Sequence, residues 1–293
     1  MKKVILSLIS MCIMSASMAQ NDSLPSQQPN SDTIRIGGMI IIKKGGNNEK
    51  NRVSVTVGSH YHEKQSNIST SSFIFDLGFA NWADKTDYAA ATADNYLVNR
   101  PGTGDLSSTD FRLRTIKSVN VNLWFFMQRL NLIKHYVNLK YGLGLELNNY
   151  RFKSDLSLKE SGVNPYNPME TINHSFIFRD STDFRKDKLA ADYITIPVML
   201  NFRTNPYYND KGISLSAGVS IGYLYSGRNK QISAAFGKHK YHGNFDLEQW
   251  KFSYVAELGL GPVHLYGTYS PNSIFEHGMK LMPYTVGIRF SNW

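Results

Sequence analysis

Between Ser71 and Phe290 the chain alternates apolar and polar residues over stretches of roughly the 9 to 11 residues that a tilted membrane strand needs. Successive strand side chains point to opposite faces, so each stretch carries one apolar face and one small or polar face. Eight stretches follow this pattern. The first sets Phe73, Phe75, Leu77 and Phe79 against Asp76 and Gly78, and the second sets Val119, Val121, Leu123 and Phe125 against Asn120 and Asn122. In the third, Val137, Leu139, Tyr141, Leu143, Leu145 and Leu147 alternate with Asn138, Lys140, Gly142, Gly144, and Glu146. Charges on both sides of two glycines do not suit a dry core. The remaining five start near Ile194, Ile213, Trp250, Val263 and Tyr284.

The connections between stretches alternate in length, as bacterial barrels pair short periplasmic turns with longer extracellular loops. The links 81–116, 148–192 and 226–249 are long, 128–135 and Gly261-Pro262 are short, 203–212 is fairly short, and 270–282 is intermediate. The expected fold is therefore all-β, an eight-stranded antiparallel transmembrane β-barrel over 71–293 with both termini in the periplasm. Tags at Ser157 and Ser233 should then be reachable on intact cells, and one at Asn131 should not. Leu143 and Leu145 fall on the lipid face, where arginine should impair insertion, with Gly144→Ser milder. Pro197 lies inside the fourth strand and cannot donate a ladder hydrogen bond, so a bulge or local break is expected there.

Ahead of the barrel, Lys2 and Lys3, the apolar Val4 to Met14 and the small-residue site Ser17-Met18-Ala19 read as an export signal over 1–19, with the mature chain starting near Gln20. The apolar stretch is shorter than the roughly 20 residues that span a bilayer as a helix. Cys12 follows Met11 inside that stretch, which disfavours a lipoprotein, and it is the only cysteine. A mature chain without it has no disulfide and no cysteine metal site. Residues 20–34 are polar and rich in Ser, Asn, Gln and Pro and read as a disordered leader. Residues 35–70 form a periplasmic segment in which Ile36 to Lys43 and Arg52 to Val57 suggest a hairpin around Gly45-Gly46-Asn47-Asn48.

Without Lys2 and Lys3, 30 of the 32 basic residues remain against 23 acidic ones, a net charge of +7. In an envelope protein this points to lipid phosphate as the anionic neighbour, and no zinc-finger spacing or basic helix supports nucleic acid. The 17 Tyr, 16 Phe and 4 Trp suit the aromatic girdles of a barrel. A soluble β-sandwich or a lipocalin-like binder also uses such residues, but the latter puts its apolar residues inside.

Several runs carry a resemblance: SVNVNL at 118–123, YVNLKYGLGLELNNYRF from Tyr136, ADYITIPVMLNF from Ala191, ISLSAGVSIGYLY from Ile213, LGLGPVHLYGTYS from Leu258 and PYTVGIRF from Pro283. Together they resemble the small outer-membrane β-barrel proteins of the Bacteroidota, the broad family that includes the PorT-like proteins. The resemblance implies an eight-stranded barrel in the outer membrane. One branch of that family takes part in protein secretion and gliding, which implies such a role here. The terminal Trp293 departs from the outward phase of Phe290.

The inward rows hold Asp76, Glu146 and Glu257 with Lys140, Lys251 and Arg289. Eight strands enclose little more than their own side chains, so a lumen-filling ion-pair network is expected, the alternative being a polar path for a small solute. His60 and His62, and His239 and His242, have no third ligand at a telling spacing, and no metal or cofactor site is expected. His174, Asp180 and Asp183 share one loop, yet sequence proximity is not catalytic geometry and no catalytic residue is assigned. Gly142-Leu143-Gly144 and Gly259-Leu260-Gly261 do not lead from strand into helix, so they are not phosphate cradles. Arg228, Lys230, Lys238 and Lys240 in one loop, and Arg151, Lys153, Arg179, Arg185, Lys186 and Lys188 in another, would face the outer leaflet. They read either as a solvated mixed surface or as contacts to lipopolysaccharide phosphate. The expected function is a structural or interaction role in the cell envelope, possible partners being outer-membrane lipid, lipopolysaccharide and a secretion-machinery protein. The alternative is a narrow transporter for small solutes.

Overall fold

A computed structural model describes residues 32–36, 39–43, 53–57, 66–205, 212–261 and 263–291 of the 293-residue chain. The expected export signal, Cys12, His60 and His62 lie outside the described residues. The chain divides into two units, Met1–Lys64 and Gln65–Trp293. In the first, β1 (Asp32–Ile36), β2 (Met39–Lys43) and β3 (Val53–Val57) form an antiparallel sheet in that order. The strand β1 starts inside the stretch read as leader, where Asp32-Thr33-Ile34-Arg35-Ile36 continues the β-branched alternation of β2.

The second unit holds the barrel. Its strands are β4 (Ile68–Asp84), β6 (Val119–Ile133), β7 (Val137–Arg151), β12 (Phe184–Arg203), β13 (Ile213–Ser233), β15 (Trp250–Leu260), β16 (Val263–Tyr269) and β17 (Leu281–Phe290). Each pairs antiparallel with its neighbour in chain order, and β17 pairs with β4 to close the ring. The eight stretches of alternation are these eight strands. Ile194, Ile196, Val198, Leu200 and Phe202 all face outward and exposed, while Thr195, Pro197, Met199 and Asn201 face inward and buried.

Pro197 pairs in continuous register with Ser220 of β13, whereas the ladder to β7 lapses between Thr195↔Gly144 and Val198↔Tyr141. The register is the same on both sides of the lapse, so this is a break and not a bulge. Bulges fall instead at Phe125 on β6, between Trp124 and Phe126, and at Tyr225 on β13, opposite Asp192 and Tyr193.

The turn after β6 is tighter than the expected 128–135. Arg129, Leu130 and Asn131 remain in the strand, paired with Lys140, Leu139 and Asn138. The reversal is made by Lys134 and His135, both in the left-handed region (φ 44° and 61°), and Tyr136 N–H donates to the Ile133 carbonyl at 2.9 Å. Positive φ at both central residues gives a turn whose twist matches the flanking strands.

Gly144, where serine is expected to be milder than arginine at Leu143 or Leu145, packs against the β6 backbone. A Cβ there would lie 2.6 Å from the Leu123 carbonyl oxygen and 2.6 Å from the Trp124 ring. Inward glycines thus make room for the large aromatic that fills the lumen beside them.

The long connections are folded elements and not solvated loops. They contain α1 (Tyr88–Ala93), capped by the Asp87 side chain, and β5 (Leu97–Val98), β8 (Leu156–Lys159), β9 (Gly162–Asn164), β10 (Asn167–Ile172), β11 (Phe176–Arg179) and β14 (Gly237–His242). The strands β5, β11 and β8 form one small sheet, and β14 extends the barrel sheet beside the upper part of β13. The apolar runs that build this layer are short, as in Leu156-Ser157-Leu158 and Phe176-Ile177-Phe178, and they drive burial wherever a partner surface exists. Ser157 and Ser233, expected at exposed loop positions, are consequently buried.

Candidate functional site

The lumen is built from the inward row of every barrel strand. Arg289 on β17 faces its cross-strand partner Asp76 on β4, with Nε to Oδ1 at 2.7 Å and Nη2 to Oδ2 at 2.8 Å. The same carboxylate accepts from Trp124 Nε1 at 2.7 Å and from Asn122 Nδ2 at 3.0 Å. Arg289 Nη1 also donates to Glu257, which accepts both 2.6 and 2.8 Å hydrogen bonds from Lys140 Nζ. Lys251 pairs with Glu146, and Asn148 donates to that carboxylate at 3.0 Å. All six ionic residues of the sequence-level reading are thus brought together, three cations against three anions, and each is buried. Pairing and dense hydrogen bonding are what allow charges to sit where water is excluded.

Sequence reasoning did not anticipate Trp124 and Tyr266, which bring ring faces within 5.4 and 6.0 Å of the Arg289 guanidinium. Their inward phase was legible, but aromatic residues were assigned to the girdles. At the turn end, a recess of about 20 Å³ opens among Arg129, Lys140, Arg203, Glu257 and His264. That is room for about one water.

Above the ionic layer, residues from the three long connections and from the intermediate one between β16 and β17 meet the upper inward residues of the barrel in one apolar core. Leu106 and Phe111 come from the first connection, Leu156 and Ile177 from the second, Leu247 from the third and Phe275 from the fourth. They pack with Trp82, Tyr150, Leu189 and Tyr193 of the barrel strands, and the rings of Trp82 and Tyr150 lie 4.9 Å apart. Arg179, read as facing the outer leaflet, instead binds Asp110 at 2.8 Å and ties the second connection to the first. Arg228 pairs with Asp192.

Asp246 joins the third connection to the first and fourth. It accepts from Tyr96 Oη at 3.1 Å, from His277 N–H at 2.9 Å and from His277 Nδ1 at 3.0 Å. This hydrogen bond, together with the Asp246 charge, raises the His277 pKa above its ordinary value. Burial, then the Asp246 charge, pushes the Tyr96 hydroxyl upward. Asp246, Glu276 and His277 place one ligand atom each within 4.8 Å of one another, a grouping that sequence spacing did not reveal because Asp246 and the adjacent Glu276-His277 come from two separate connections.

The other sequence candidates are dispersed. His174 is exposed with Nδ1 3.0 Å from the Ser175 carbonyl oxygen, and Asp180 accepts from Ser157 Oγ at 2.6 Å. Among the described residues, no hydrogen bond or ion pair joins His174 to Asp180 or Asp183. His239 stacks on Tyr241 with centroids 6.2 Å apart, and His242 lies on the opposite face of β14. The faces of this hairpin line two different surfaces. His239 and Tyr241, with Leu158, Phe178 and Phe236, border a cleft of about 300 Å³, while Lys238, Lys240 and His242 point outward.

No curated protein matches the sequence. Two solved structures to which the chain is similar are those of Ail, the attachment invasion locus protein of Yersinia pestis, one of them in complex with the heparin analogue sucrose octasulfate. The identities are 13% and 14%, each match covers 75% of this chain and 98% of the other, and the TM-score is 0.29 in both. The model of the outer membrane protein beta-barrel domain matches residues 14–275, in agreement with the closed ring, its outward apolar row and its ionic lumen. The chain therefore belongs to the outer membrane protein beta-barrel domain family and is an integral outer-membrane protein.

Proposed function

We propose that this protein is a non-conducting, non-enzymatic barrel that presents a folded cap at the cell surface, serving a structural or interaction role in the envelope. One observation carries the reading: the lumen is filled by a charge-balanced network and overlaid by an apolar core drawn from the three long connections and the intermediate one. Residues committed to filling and sealing leave the cap surface and the barrel exterior as the faces open to partners. In this reading the short turns and both termini face the periplasm, as the alternation of connection lengths in such barrels implies. The PorT-like resemblance adds a role as an accessory to protein secretion, with an envelope protein and lipopolysaccharide as partners. Among the described residues, His174 and Asp180 take separate partners and no hydrogen bond joins either to Asp183, which supports a non-catalytic role.

Reconstitution into planar bilayers tests the reading. Conductance near background is expected, and stable single-channel steps would replace it with the narrow-transporter alternative. Crosslinking in native membranes followed by co-purification should then recover an envelope protein bound through the cap.

A further inference from the structure

The strands β12 and β13 continue beyond the apolar band, and β14 joins them there. In this extension Lys240 lies directly opposite Lys230, Lys230 opposite Lys188, and Lys188 opposite Arg151, a register row of four cations across four adjacent strands. Residues directly opposite one another project to the same face. The other face of the extension carries Leu189, Asn229 and Gln231 and is buried under the cap, so the cationic row belongs to the outer surface. Lys186 and Lys238 flank it, both opposite Ile232. Along these four strand segments the outward face offers one carboxylate, Asp192, and it is already paired with Arg228.

Like charges directly opposite in a sheet are destabilising, and this row stacks three such pairs without an intervening acid. Such an arrangement is relieved by a multivalent anion. Its height selects the kind. Below it, the apolar row of β12 ends at Ile194, and Tyr223 and Trp250 form an edge-on pair of outward aromatics, the girdle expected at the lipid-water boundary. At about 3.3 Å per residue and a tilt of about 45°, the step from Ile194 to Lys188 raises the row about 14 Å above the end of the apolar band. Lysine side chains reach back toward the boundary from that height.

We propose that the face centred on Lys188, Lys230 and Lys240 binds the phosphorylated headgroup of a lipid in the outer leaflet. This rests on the outward orientation of the cap proposed above. The acyl chains would lie on the apolar row beneath, along Ile194, Ile196 and Tyr223, and the phosphates would sit among the ammonium groups.

The test uses the full-length folded protein in detergent, titrated with bisphosphorylated lipid A and followed by native mass spectrometry. Lys188→Gln/Lys230→Gln/Lys240→Gln should weaken lipid A binding by about ten-fold or more, each charge near an anionic surface contributing measurably. Lys85→Gln/Lys280→Gln, which removes two exposed cations elsewhere on the cap, should leave it unchanged. Should the triple variant fail to fold, Lys238→Gln/Lys240→Gln on β14, outside the barrel ring, should still weaken binding by about three-fold or more. Equal affinity of these variants and the unaltered protein overturns the site. So does equal binding of dephosphorylated lipid A, while displacement by equimolar inorganic phosphate would mark a free-anion site and overturn the lipid assignment.

Orientation is read separately, by labelling Lys238→Cys on intact cells with a membrane-impermeant maleimide. Absence of labelling, with lipid A binding still dependent on the row, overturns the outward orientation and with it the outer-leaflet source. Labelling with charge-independent lipid A binding overturns the site and leaves the orientation standing.

Discussion

Arg289 and Asp76, 213 residues apart in the chain, face each other across the seam where the last barrel strand meets the first, joined by hydrogen bonds of 2.7 and 2.8 Å. Neither is measurably exposed beyond 2%. Arg289→Ala would leave Asp76 and Glu257 as buried charges without their shared cation, a loss of about 3–5 kcal/mol. Asp76→Asn/Arg289→Met, which removes both charges of the pair, should cost less than the single change. Urea midpoints of the folded gel species in lipid vesicles measure both, and equal midpoints for Arg289→Ala and the unaltered protein would show that the seam pair does not hold the barrel.

On the lipid face, Leu143 pairs with Phe126 near the centre of the outward row of β7 that runs from Val137 to Leu147. Leu143→Arg should cost roughly 2–4 kcal/mol at the bilayer midplane. The readout is the fraction of protein that reaches the outer membrane and runs as the compact, heat-modifiable form. Full insertion would show that this row does not face lipid.

Gly144 predicts the opposite of what its size suggests. Because a Cβ meets the Leu123 carbonyl oxygen and the Trp124 ring at 2.6 Å, Gly144→Ser requires β6 and β7 to part, with a cost of about 1–3 kcal/mol from overpacking. Gly144→Ser/Trp124→Leu should recover part of that loss. Refolding yields of the three variants at one urea concentration decide the matter.

Insertion sites follow from burial within the cap. A peptide tag at Ala235, in the exposed turn between β13 and β14, should be tolerated and reachable by antibody on intact cells. At Lys134, in the turn after β6, it should be tolerated and unreachable. Tags at Ser157 or Ser233, both buried, should disturb the cap and raise its proteolysis.

The Asp246–His277 contact makes one part of the cap pH-dependent. Asp246 raises the His277 pKa above its ordinary 6.5, so the contact contributes its full stabilisation below about pH 6.5 and loses it as pH rises through the elevated folded value. Amides of residues 244–248 and 273–279 should exchange more slowly at about pH 6 than at about pH 8.5, once corrected for intrinsic rates. In His277→Gln that difference should vanish, and a difference that persists would place its origin elsewhere.

The eight strands were legible because the bilayer imposes a local rule: every strand must show lipid an apolar row, so period-two alternation marks each one without knowledge of its neighbours. The six lumen charges were legible for the same reason, since Lys140 and Glu146 occupy the phase opposite to Leu143 and Leu145. Which charges pair was not. Arg289 meets Asp76 because the ring closes β17 onto β4, and Lys140 reaches Glu257 across the lumen, relations set by closure and register.

The cap lay further beyond sequence reading. Leu106, Ile177, Leu247 and Phe275 come from four connections with no common period, and their burial arises only when the barrel holds those connections over one mouth. The cationic row needed tertiary structure for a related reason. Lys188, Lys230 and Lys240 were visible as basic loop residues, but their alignment exists only through the pairing of β12, β13 and β14. The sequence by itself determined what the membrane demands of each strand, because that demand acts on neighbouring side chains. Only the tertiary structure decided what fills, seals and decorates the barrel, because those contacts join residues that chain connectivity keeps far apart.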